Sequence, residues 1–410
     1  MPEFFNVLPP HDALETLRRH LEPRGESERV VTADSVGRTT AAEVTSPEDL
    51  PAFPRSAMDG FSVRAGDTFG ATEGLPAYFE VVGEVPMGAP PGVTVTSGQA
   101  AGAYTGGMLA IGADAVVMVE HTQQVDDTTI EVVRPVAPGA NVLQVAEDAH
   151  TGEKVLPKGH VLRPQDAGGL LALGITEVEV GRRPRVSIVS TGDELLTPQE
   201  TPGPGQVRDI NTYTVSALVR QAGGIPVPLP LVGDDYEAQR DAAVNGLVQG
   251  DVLVFSAGSS VSSHDKTAAV MDSLGSPGVL VHGISVKPGK PTIVAVVDGK
   301  PAFGLPGNPV SAMVVFDLLV RPTLYLLAGC QTPPESPTVE ATLLRDIPSV
   351  AGREDYVQVR LSNENGSVRA DPVFGRSNLI YTLIRADGTV KVPLNAGGIY
   401  AGERVAVRLY

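Results

Sequence analysis

The sequence has few of the residues that would place it in several common protein classes. It contains one cysteine, Cys330, so no disulfide can form within the chain and cysteine cannot build a metal site. We expect Cys330 to be a small buried apolar residue near a domain edge. A chain with this cysteine content is predicted to be cytoplasmic.

Long apolar runs and positive charge are also scarce. No run of about 18 apolar residues occurs, so no membrane-spanning helix is predicted. The N-terminus has no basic start followed by an apolar stretch, which argues against a secretory signal, and Ala13, Leu14, Leu17 and Leu21 predict an amphipathic helix instead. The net charge of −17 repels polyanions and argues against a nucleic-acid partner. A small anionic ligand would need local positive charge, backbone N–H groups or a metal.

Glycine and proline are abundant, with 45 and 35 residues spread along the whole chain. This pattern predicts many short strands and turns. A chain of 410 residues is expected to form roughly two to four domains. The composition changes near residues 50, 140, 182 and 330.

Residues 182–329 show the clearest pattern, in which continuous apolar strands alternate with helices. Such alternation predicts an α/β domain with a mainly parallel sheet covered on both faces. Residues 51–139 read as short strands separated by glycine and proline. The tail, residues 330–410, opens with a proline-rich linker and then predicts a small β barrel or sandwich.

Loops rich in small and acidic residues follow the predicted strands of the α/β domain, where ligands of open parallel sheets bind. They are residues 190–195, 234–235, 256–265, 286–291 and 305–309. Small residues that lead into a helix let backbone N–H groups approach an anion. Carboxylates at one sheet edge favour a cation such as Mg²⁺, and Lys287 and Lys290 supply positive charge for phosphates or an oxyanion. The sequence therefore predicts a nucleotide-phosphate and metal site.

Each loop also has a structural interpretation. Asp265 alone is as well explained by a helix N-cap as by catalysis. The serine- and glycine-containing loop is a weak phosphate signal by itself, and the Lys-Pro-Gly-Lys-Pro run at 287–291 could be a solvated turn. The functional interpretation is favoured because these loops fall at successive strand ends of one sheet.

Several segments, in the same order along the chain, resemble the molybdopterin molybdotransferase family, the type that includes the bacterial MoeA proteins and the E-domain of gephyrin. The loop SAGSSVSSHD resembles the family's Ser-Gly-Gly-Thr-Gly/Ser-x-Gly-x-x-Asp phosphate loop. The other matching segments are PRSAMDGFSV, YTGGMLAIGADAVVMVEHT, STGDEL, ISVKPGKP, GLPGNPVSA and GREDYVQVRL.

The resemblance implies a multidomain α/β plus β fold. It implies an elongated linking domain (1–50 with 140–181), a β-rich lid domain (51–139), an α/β molybdopterin-binding domain (182–329) and a C-terminal β-barrel-like domain (330–410). It also implies a homodimer whose active site lies between the α/β domain of one subunit and the lid of the other. Contacts with the molybdopterin adenylyltransferase and with molybdoenzymes are further expected partners.

The implied reaction takes molybdate and adenylated molybdopterin, inserts molybdenum and releases AMP, supported by magnesium or zinc. Asp265 and Glu194 are assigned to the divalent cation or to orienting the pterin, and Asp234 is assigned as a further carboxylate. Asp59, Thr105 and Asp148 are expected to reach the site from the lid or hinge side. Residues assigned to substrate binding are Thr105, Gly258, Ser259, Ser260, Lys287, Lys290, Pro306 and Asn308.

Two departures from the family pattern leave alternatives open. The family's hinge, Asn-x-Arg-Arg-x-Gly-Glu-Asp, here keeps its acids at 147–148 and lacks its arginines, which removes guanidinium groups that could clamp an anion. The phosphate loop has Ala257, Ser259 and Ser262 at glycine or threonine positions. A weakened paralogue that acts as cofactor carrier or scaffold is therefore one alternative. A molybdopterin adenylyltransferase is another, although it would not need the lid and C-terminal domains.

Overall fold

In a computed structural model, residues 7–21, 25–257, 261–364 and 366–410 are described, with residues 261–265 described for their backbone only. The chain divides into two units. Unit 1 contains the described residues up to Ala42, Gly159–Arg163 and Glu177–Tyr410, and unit 2 contains Glu43–Lys158 and Pro164–Thr176. The predicted domain boundaries near 50, 140, 182 and 330 stay predictions.

Unit 1 begins with helix α1 (Pro10–Arg18), strand β1 (Ser27–Val31) and a 3₁₀ turn at Thr32–Asp34. Proline at the first position of α1 suits a helix start, because its φ is already helical and its missing N–H would have no partner there. Ala13, Leu17 and Leu21 are buried in the core of the α/β domain. The predicted amphipathic helix is confirmed.

Unit 2 contains the predicted β-rich region. Its elements are β2 (Val44–Thr45), β3 (Arg55–Ser56), β4 (Gly60–Val63), β5 (Ala77–Glu84), β6 (Gln99–Ala103), β7 (Ala115–Met118), β8 (Thr122–Gln124), β9 (Thr129–Val132), β10 (Val142–Leu143), β11 (Lys154–Leu156), helix α2 (Pro164–Ala172), and 3₁₀ turns at Ala65–Thr68 and Val119–His121. Six strands form one sheet in the order β7-β4-β6-β5-β9-β8. Val63, Phe79, Val117 and Ile130 are buried in its core. β5 and β6 pair in parallel, and the other neighbouring strands of this sheet are antiparallel. β3 pairs with β10, and β2 with β11.

The second part of unit 1 contains the predicted α/β domain. Its elements are β12 (Glu177–Gly181), β13 (Arg185–Ser190), β14 (Leu195–Leu196), β15 (Val207–Arg208), α3 (Asn211–Gln221), β16 (Ile225–Pro228), α4 (Tyr236–Gln249), β17 (Val252–Ala257), α5 (Val261–Ser273), β18 (Pro277–His282), β19 (Val286–Lys287), β20 (Ile293–Val297), β21 (Lys300–Pro306), α6 (Pro309–Val315), a π-helical turn (Phe316–Val320) and α7 (Arg321–Leu327). The central sheet has the order β16-β13-β17-β21-β20-β18. The first four of these strands pair in parallel, and β20 and β18 join antiparallel.

Both faces of this sheet are covered, which explains its continuous apolar strands. On one face Val186, Val254 and Phe303 pack in a core with residues of α1, α3 and α6. On the other face Leu253 and Phe255 pack with residues of α4 and α5. The predicted mainly parallel, doubly covered sheet is confirmed. β1 and β12 form a separate antiparallel pair.

The last part of unit 1 forms the C-terminal β domain. Its elements are β22 (Thr338–Leu343), β23 (Ile347–Pro348), β24 (Glu354–Glu364), β25 (Ser367–Pro372), α8 (Tyr381–Ile384), β26 (Gly388–Val392), β27 (Gly398–Ile399) and β28 (Arg404–Leu409). The strands pair in the order β24-β25-β22-β28-β26, and β26 pairs again with β24, which closes a five-stranded barrel. Closure leaves these strands without an open edge. Of the two predicted forms, barrel and sandwich, the barrel is correct.

Two elements differ from the strand pattern read in the sequence. The apolar residues of VLVHGISV (279–286) predict one strand, but β18 ends at His282 and β19 pairs in parallel with β24 of the barrel. Gly283, with φ +102°, lies in the bend between them. β21 was not predicted, because Pro301, Gly304 and Pro306 weaken the strand signal.

The continuous helical segment Pro309–Leu327 is long and apolar enough to cross a membrane by composition alone. It is nevertheless 67% buried inside the structure, where Phe316, Leu319 and Leu324 belong to the α/β core. An all-round apolar helix is expected in the core of a large domain. Among the residues that the structure describes, no other helix meets these criteria.

Candidate active site

A pocket of about 390 Å³ lies at the C-terminal ends of β13, β17 and β21 in unit 1. We call it the strand-end pocket. Its lining residues are Thr191, Glu194, Leu195, Val207, Arg208, Asp209, Ile210, Asn211, Ser256, Ala257, Gly307, Asn308, Pro309 and Asn378. The position agrees with the general rule that open α/β sheets bind ligands beyond the carboxyl ends of their strands. Of the residues assigned from the sequence, Glu194 and Asn308 line this pocket.

Glu194 owes its position to the tight turn after β13. Gly192 has φ +154°, and its N–H donates to Val232 O at 3.0 Å. The carboxylate of Glu194 folds over Gly192, so that a Cβ at residue 192 would lie 2.7 Å from Oε2. A larger residue at 192 would therefore displace the carboxylate.

Asn211, at the first position of α3, is a pocket residue that the sequence analysis did not single out. Its Nδ2 donates to Ser256 Oγ and to Gly307 O, each at 2.8 Å. Asn211 is 6% exposed, and within the described part of the chain its Oδ1 has no hydrogen-bond partner. The same holds for Oγ1 of Thr191, which is 1% exposed. Buried polar atoms without partners carry a free-energy cost, and such atoms beside a cavity indicate a ligand contact.

Asp209 holds the start of α3 in place. Its Oδ1 accepts from the Thr212 N–H at 3.2 Å and from Ser190 Oγ at 3.3 Å. It therefore caps the helix, since the residue at the cap position, Ile210, has no side chain that could do so. Both Asp209 and Asn211 could have been found from the sequence only as polar residues at a helix start.

Asp234 and Asp235, which were predicted at the next strand end, have different roles. Asp235 is the N-cap of α4 and accepts from the Ala238 N–H at 2.9 Å. The backbone N–H of Asp234 donates to Asp193 Oδ1 at 3.0 Å, and its carbonyl accepts from Lys266 Nζ at 2.9 Å. Oδ1 of Asp234 is buried and has no partner among the described residues. Asp234 therefore keeps a free carboxylate oxygen for a ligand.

Lys287 and Lys290 line a second and larger cavity of about 800 Å³ between the α/β domain and the barrel of unit 1. We call it the barrel cleft. Lys287 is 60% exposed, and its Nζ lies 3.8 Å from Asp355 Oδ2. Asp355 is buried and accepts two hydrogen bonds from Arg353, at 2.8 and 3.3 Å. Since Arg353 largely neutralises Asp355, the two lysines give the cleft an excess of positive charge, to which Arg376 adds.

Asn308 lines both cavities, and Pro306 lines the barrel cleft. Asn308 Nδ2 donates to Ser377 Oγ at 3.1 Å, and the N–H of Val310 donates to Ser377 O at 3.1 Å. These bonds tie the start of α6 to the loop before α8. The wall between the strand-end pocket and the barrel cleft is therefore fixed by hydrogen bonds between the α/β domain and the barrel.

Asp59, Thr105 and Asp148 lie in unit 2. Asp59 Oδ1 accepts from the Thr105 N–H at 2.7 Å and from Thr105 Oγ1 at 2.9 Å. These two bonds lower the pKa of Asp59, because they stabilise its ionised form, the backbone bond most. Asp59 lines a cavity of about 530 Å³ with an apolar floor that includes Phe61 and Val81. Asp148 is exposed, and its backbone N–H donates to Leu50 O at 2.9 Å.

The predicted divalent-metal site is tested by the chemistry of its donors. Among the described residues, no three histidine, cysteine or acidic side chains are grouped closely enough to hold a metal ion. Asp265, one of the two predicted metal ligands, has no described side chain. Gly258, Ser259 and Ser260 also lie outside the described residues. The described side chains by themselves therefore do not form a metal site.

Three family models match almost the entire chain. The MoeA N-terminal region (domain I and II) matches residues 8–174, a molybdopterin-binding domain model matches residues 187–325, and the MoeA C-terminal region (domain IV) matches residues 340–410. Their order agrees with the fold. The strand ends that form the strand-end pocket fall in the second match, and the barrel, with the pocket residue Asn378, falls in the third.

Named relatives support the same assignment. The molybdopterin molybdenumtransferase of Bacillus subtilis is 33% identical over 401 residues, which cover 96% of this chain and 93% of the relative. The one from Nostoc is 33% identical over 393 residues, covering 94% and 89%. A crystal structure of the molybdopterin biosynthesis protein MoeA from Pyrococcus horikoshii has a TM-score of 0.83 and 32% identity, covering 99% of this chain and all of that one. The chain therefore belongs to the molybdopterin molybdenumtransferase family.

Proposed function

We propose that this protein inserts molybdenum from molybdate into adenylated molybdopterin and releases AMP, as an enzyme of molybdenum-cofactor biosynthesis. The observation that carries the proposal is the strand-end pocket, where Glu194, Thr191 and Asn211 line one cavity. Thr191 and Asn211 each have a buried polar atom without a partner among the described residues. A pocket of about 390 Å³ is within the usual range for one part of a nucleotide-sized ligand. The family to which the chain belongs supports adenylated molybdopterin as the substrate.

In this reaction water attacks one of the two linked phosphorus atoms, so that AMP leaves and the other phosphate stays on the pterin. The two dithiolene sulfurs replace two molybdate oxygens, which leave as water with protons from the thiols and the solvent, and molybdenum keeps its oxidation state. The protein contributes positioning and electrostatic stabilisation of a crowded anionic site. We assign Glu194 and Asp234 to orienting groups of the substrate, because each keeps a carboxylate oxygen near the strand ends. Gly258, Ser259 and Ser260 are assigned to phosphate, with the start of α5 providing backbone N–H groups.

Lys287 and Lys290 are assigned to molybdate. Both line the barrel cleft, whose buried Asp355 is already paired with Arg353. An ammonium group is a suitable donor for an oxyanion because charge-assisted hydrogen bonds are stronger than neutral ones. Pro306 and Asn308 then lie between the molybdate in the barrel cleft and the part of the adenylated pterin in the strand-end pocket.

The finer parts of the proposal rest on the family resemblance. We assign Asp59, Thr105 and Asp148 to the lid side of the site, contributed by the second subunit of a homodimer in the cytoplasm. Magnesium or zinc would balance the carboxylates, with Glu194 and Asp265 as its ligands. The described side chains alone do not form a ligand set for this ion. Contacts with the adenylyltransferase and with molybdoenzymes would connect the preceding and following reactions.

The alternatives are less well supported. An adenylyltransferase would need only the α/β domain, whereas the matches extend to the N-terminal and C-terminal regions of the family. A carrier without turnover is consistent with the arginine-poor hinge at residues 141–148. Arg376 in the barrel cleft and Arg208 in the strand-end pocket are guanidinium groups that partly offset that loss.

The test is AMP release from adenylated molybdopterin, with molybdate and Mg²⁺ present and then omitted one at a time. We expect molybdate-dependent release that Asp265→Asn abolishes or strongly reduces and that Lys287→Ala reduces at low molybdate concentration. Asp241→Asn, at an exposed position of α4, is a matched control that keeps full activity. Tight binding of the adenylated pterin without release would support the carrier, and the absence of binding would overturn the proposal.

A further inference from the structure

The side chain of Asn211 has a fixed orientation. Gly307 O can only accept a hydrogen bond, so the group 2.8 Å from it must be the amide nitrogen of Asn211. The same nitrogen also donates to Ser256 Oγ. Both N–H groups of the amide are thus used by the protein, and the carbonyl oxygen Oδ1 can act only as an acceptor.

Contacts of the neighbouring residues hold Asn211 in place, so that its side chain cannot move to find a hydrogen-bond partner for Oδ1. Asn211 is 6% exposed at the start of α3. Thr212, the next residue, is anchored by its backbone N–H to Asp209 and by its Oγ1 to Ser190 Oγ at 2.8 Å. The anchored backbone keeps the amide in the wall of the strand-end pocket. A ligand that donates a hydrogen bond to this fixed acceptor would therefore bind more tightly than one that does not.

We propose that Asn211 is a specificity-determining residue of this site, which accepts a hydrogen bond from the exocyclic amino group of a flat nitrogen heterocycle. The inference deepens the proposed function, whose substrate carries such a group on both its adenine ring and its pterin ring. An analogue with an oxo group in place of the amine would bring two acceptors together. A site built to bond an N–H group discriminates strongly against an analogue that lacks it.

Binding of small analogues to the full-length protein tests this proposal independently of turnover. Isothermal titration calorimetry would compare AMP with IMP, in which an oxo group replaces the amine, and pterin with lumazine, which differs in the same way. We expect the amino compound of one pair to bind about tenfold or more tightly, because a buried acceptor is left unpaired otherwise. Preference within the AMP pair places the adenine ring at Asn211, and preference within the pterin pair places the pterin ring there.

The variants Asn211→Ala and Asn211→Asp separate specificity from a structural role. In Asn211→Ala we expect the preference for the amino compound to fall to near one, whatever happens to overall affinity. Asn211→Asp keeps an acceptor of the same shape, so that the preference remains, although its second oxygen faces Gly307 O and lowers the melting temperature. Asn245→Ala, at an exposed asparagine of α4, is the matched control and keeps both the preference and the fold.

The outcomes are distinct from those of the proposed function. No preference within either pair for the wild type, or an unchanged preference in Asn211→Ala, would overturn the role of Asn211 even if molybdenum insertion is measured. The absence of binding of all four analogues at millimolar concentration would overturn it as well. A preference that depends on Asn211, in a protein that releases no AMP, would keep the inference and remove the proposed reaction.

Discussion

The carboxylate of Glu194 rests on Gly192, so closely that a Cβ on residue 192 would be 2.7 Å from Oε2 and 2.9 Å from the carboxylate carbon. The glycine therefore sets the position of an acidic side chain two residues away, in addition to allowing the turn after β13. This relationship makes the role of Glu194 testable without changing Glu194 itself.

We predict that Gly192→Ala lowers AMP release by about as much as Glu194→Gln does. The added methyl group displaces the carboxylate, and the backbone at φ +154° suits glycine, so we also expect a loss of about 1–3 kcal/mol in the free energy of unfolding. Activity assays and chemical denaturation measure the two effects separately. Gly168→Ala is the control, because Gly168 lies in α2 with open space around it and should gain up to about 1 kcal/mol. Normal activity in Gly192→Ala would contradict the role of Glu194.

Lys287 and Lys290 are predicted to set the molybdate concentration at which AMP release is half-maximal. Each alanine substitution removes an ammonium group from the barrel cleft, and we expect the half-maximal molybdate concentration to rise about fivefold to tenfold, since the charges are exposed to solvent. Raising the salt concentration should shrink the difference, because ions screen these charges. Lys158→Ala, at an exposed lysine of unit 2, should leave the value unchanged. Equal half-maximal molybdate concentrations for Lys287→Ala, Lys290→Ala and Lys158→Ala would contradict the binding of molybdate in the barrel cleft.

Asp355→Asn is predicted to weaken the fold and to strengthen anion binding. The substitution leaves Arg353 without its buried carboxylate partner, which should cost about 1–3 kcal/mol of unfolding free energy. It also removes the negative charge 3.8 Å from Lys287 Nζ, so that molybdate should bind more tightly at low salt. Titration calorimetry and thermal unfolding measure these opposite effects.

The control for this experiment is Asp371→Asn, at a carboxylate that is 48% exposed and pairs with Arg345 at 2.7 Å on the barrel. We expect it to change stability little, as is usual for exposed ion pairs. Weaker anion binding in Asp355→Asn than in wild type would show that Asp355 itself positions the lysines.

Thr105 is predicted to control the ionisation of Asp59. Thr105→Val removes the hydroxyl donor and keeps the backbone donor, so the pKa of Asp59 should rise partway towards its usual value. A folded-state pKa that is below the unfolded one stabilises the protein above the unfolded pKa, and this stabilisation is lost as the pH falls through the folded pKa. As the pH is lowered, activity that needs ionised Asp59 should therefore be lost at a higher pH in the valine variant than in the wild type.

Carboxyl resonances followed by NMR across the acidic range measure this pKa directly. Thr105→Ser keeps the hydroxyl and should reproduce the wild-type titration. If valine and serine give the same pKa for Asp59, the hydroxyl bond to Thr105 contributes nothing, and the backbone N–H alone accounts for the shift.

The fold of the α/β domain was largely predictable from local pattern. Continuous apolar segments such as β17 have no polar face, so they are stable only when both faces of a sheet are covered. Pro309 at the first position of α6 and the acidic cap of α4 marked helix starts within a residue or two. These signals lie within a few residues of one another along the chain, and a sequence pattern can therefore predict them.

The closure of the barrel and the path of β19 could not be predicted in this way. β24 pairs with β26 and, at its first residues, with β19, which lies some seventy residues earlier in the chain. β21, with two prolines, is a strand because β17 and β20 both pair with it. Pairing partners at such distances leave no periodic trace in the sequence.

The family and the residue types at the strand ends could be predicted from the sequence, because both depend on short segments that occur in the family's order. Which of those residues have polar atoms available to a ligand became visible only in the folded chain. Asp235 uses its carboxylate as a helix cap, whereas Oδ1 of Asp234 has no partner in the described part of the chain, although the two are neighbours in sequence. Asn211 became a candidate only once Ser256 and Gly307 were seen to occupy its amide nitrogen. Whether a polar atom is available to a ligand depends on every other group around it, and only the folded chain brings those groups together.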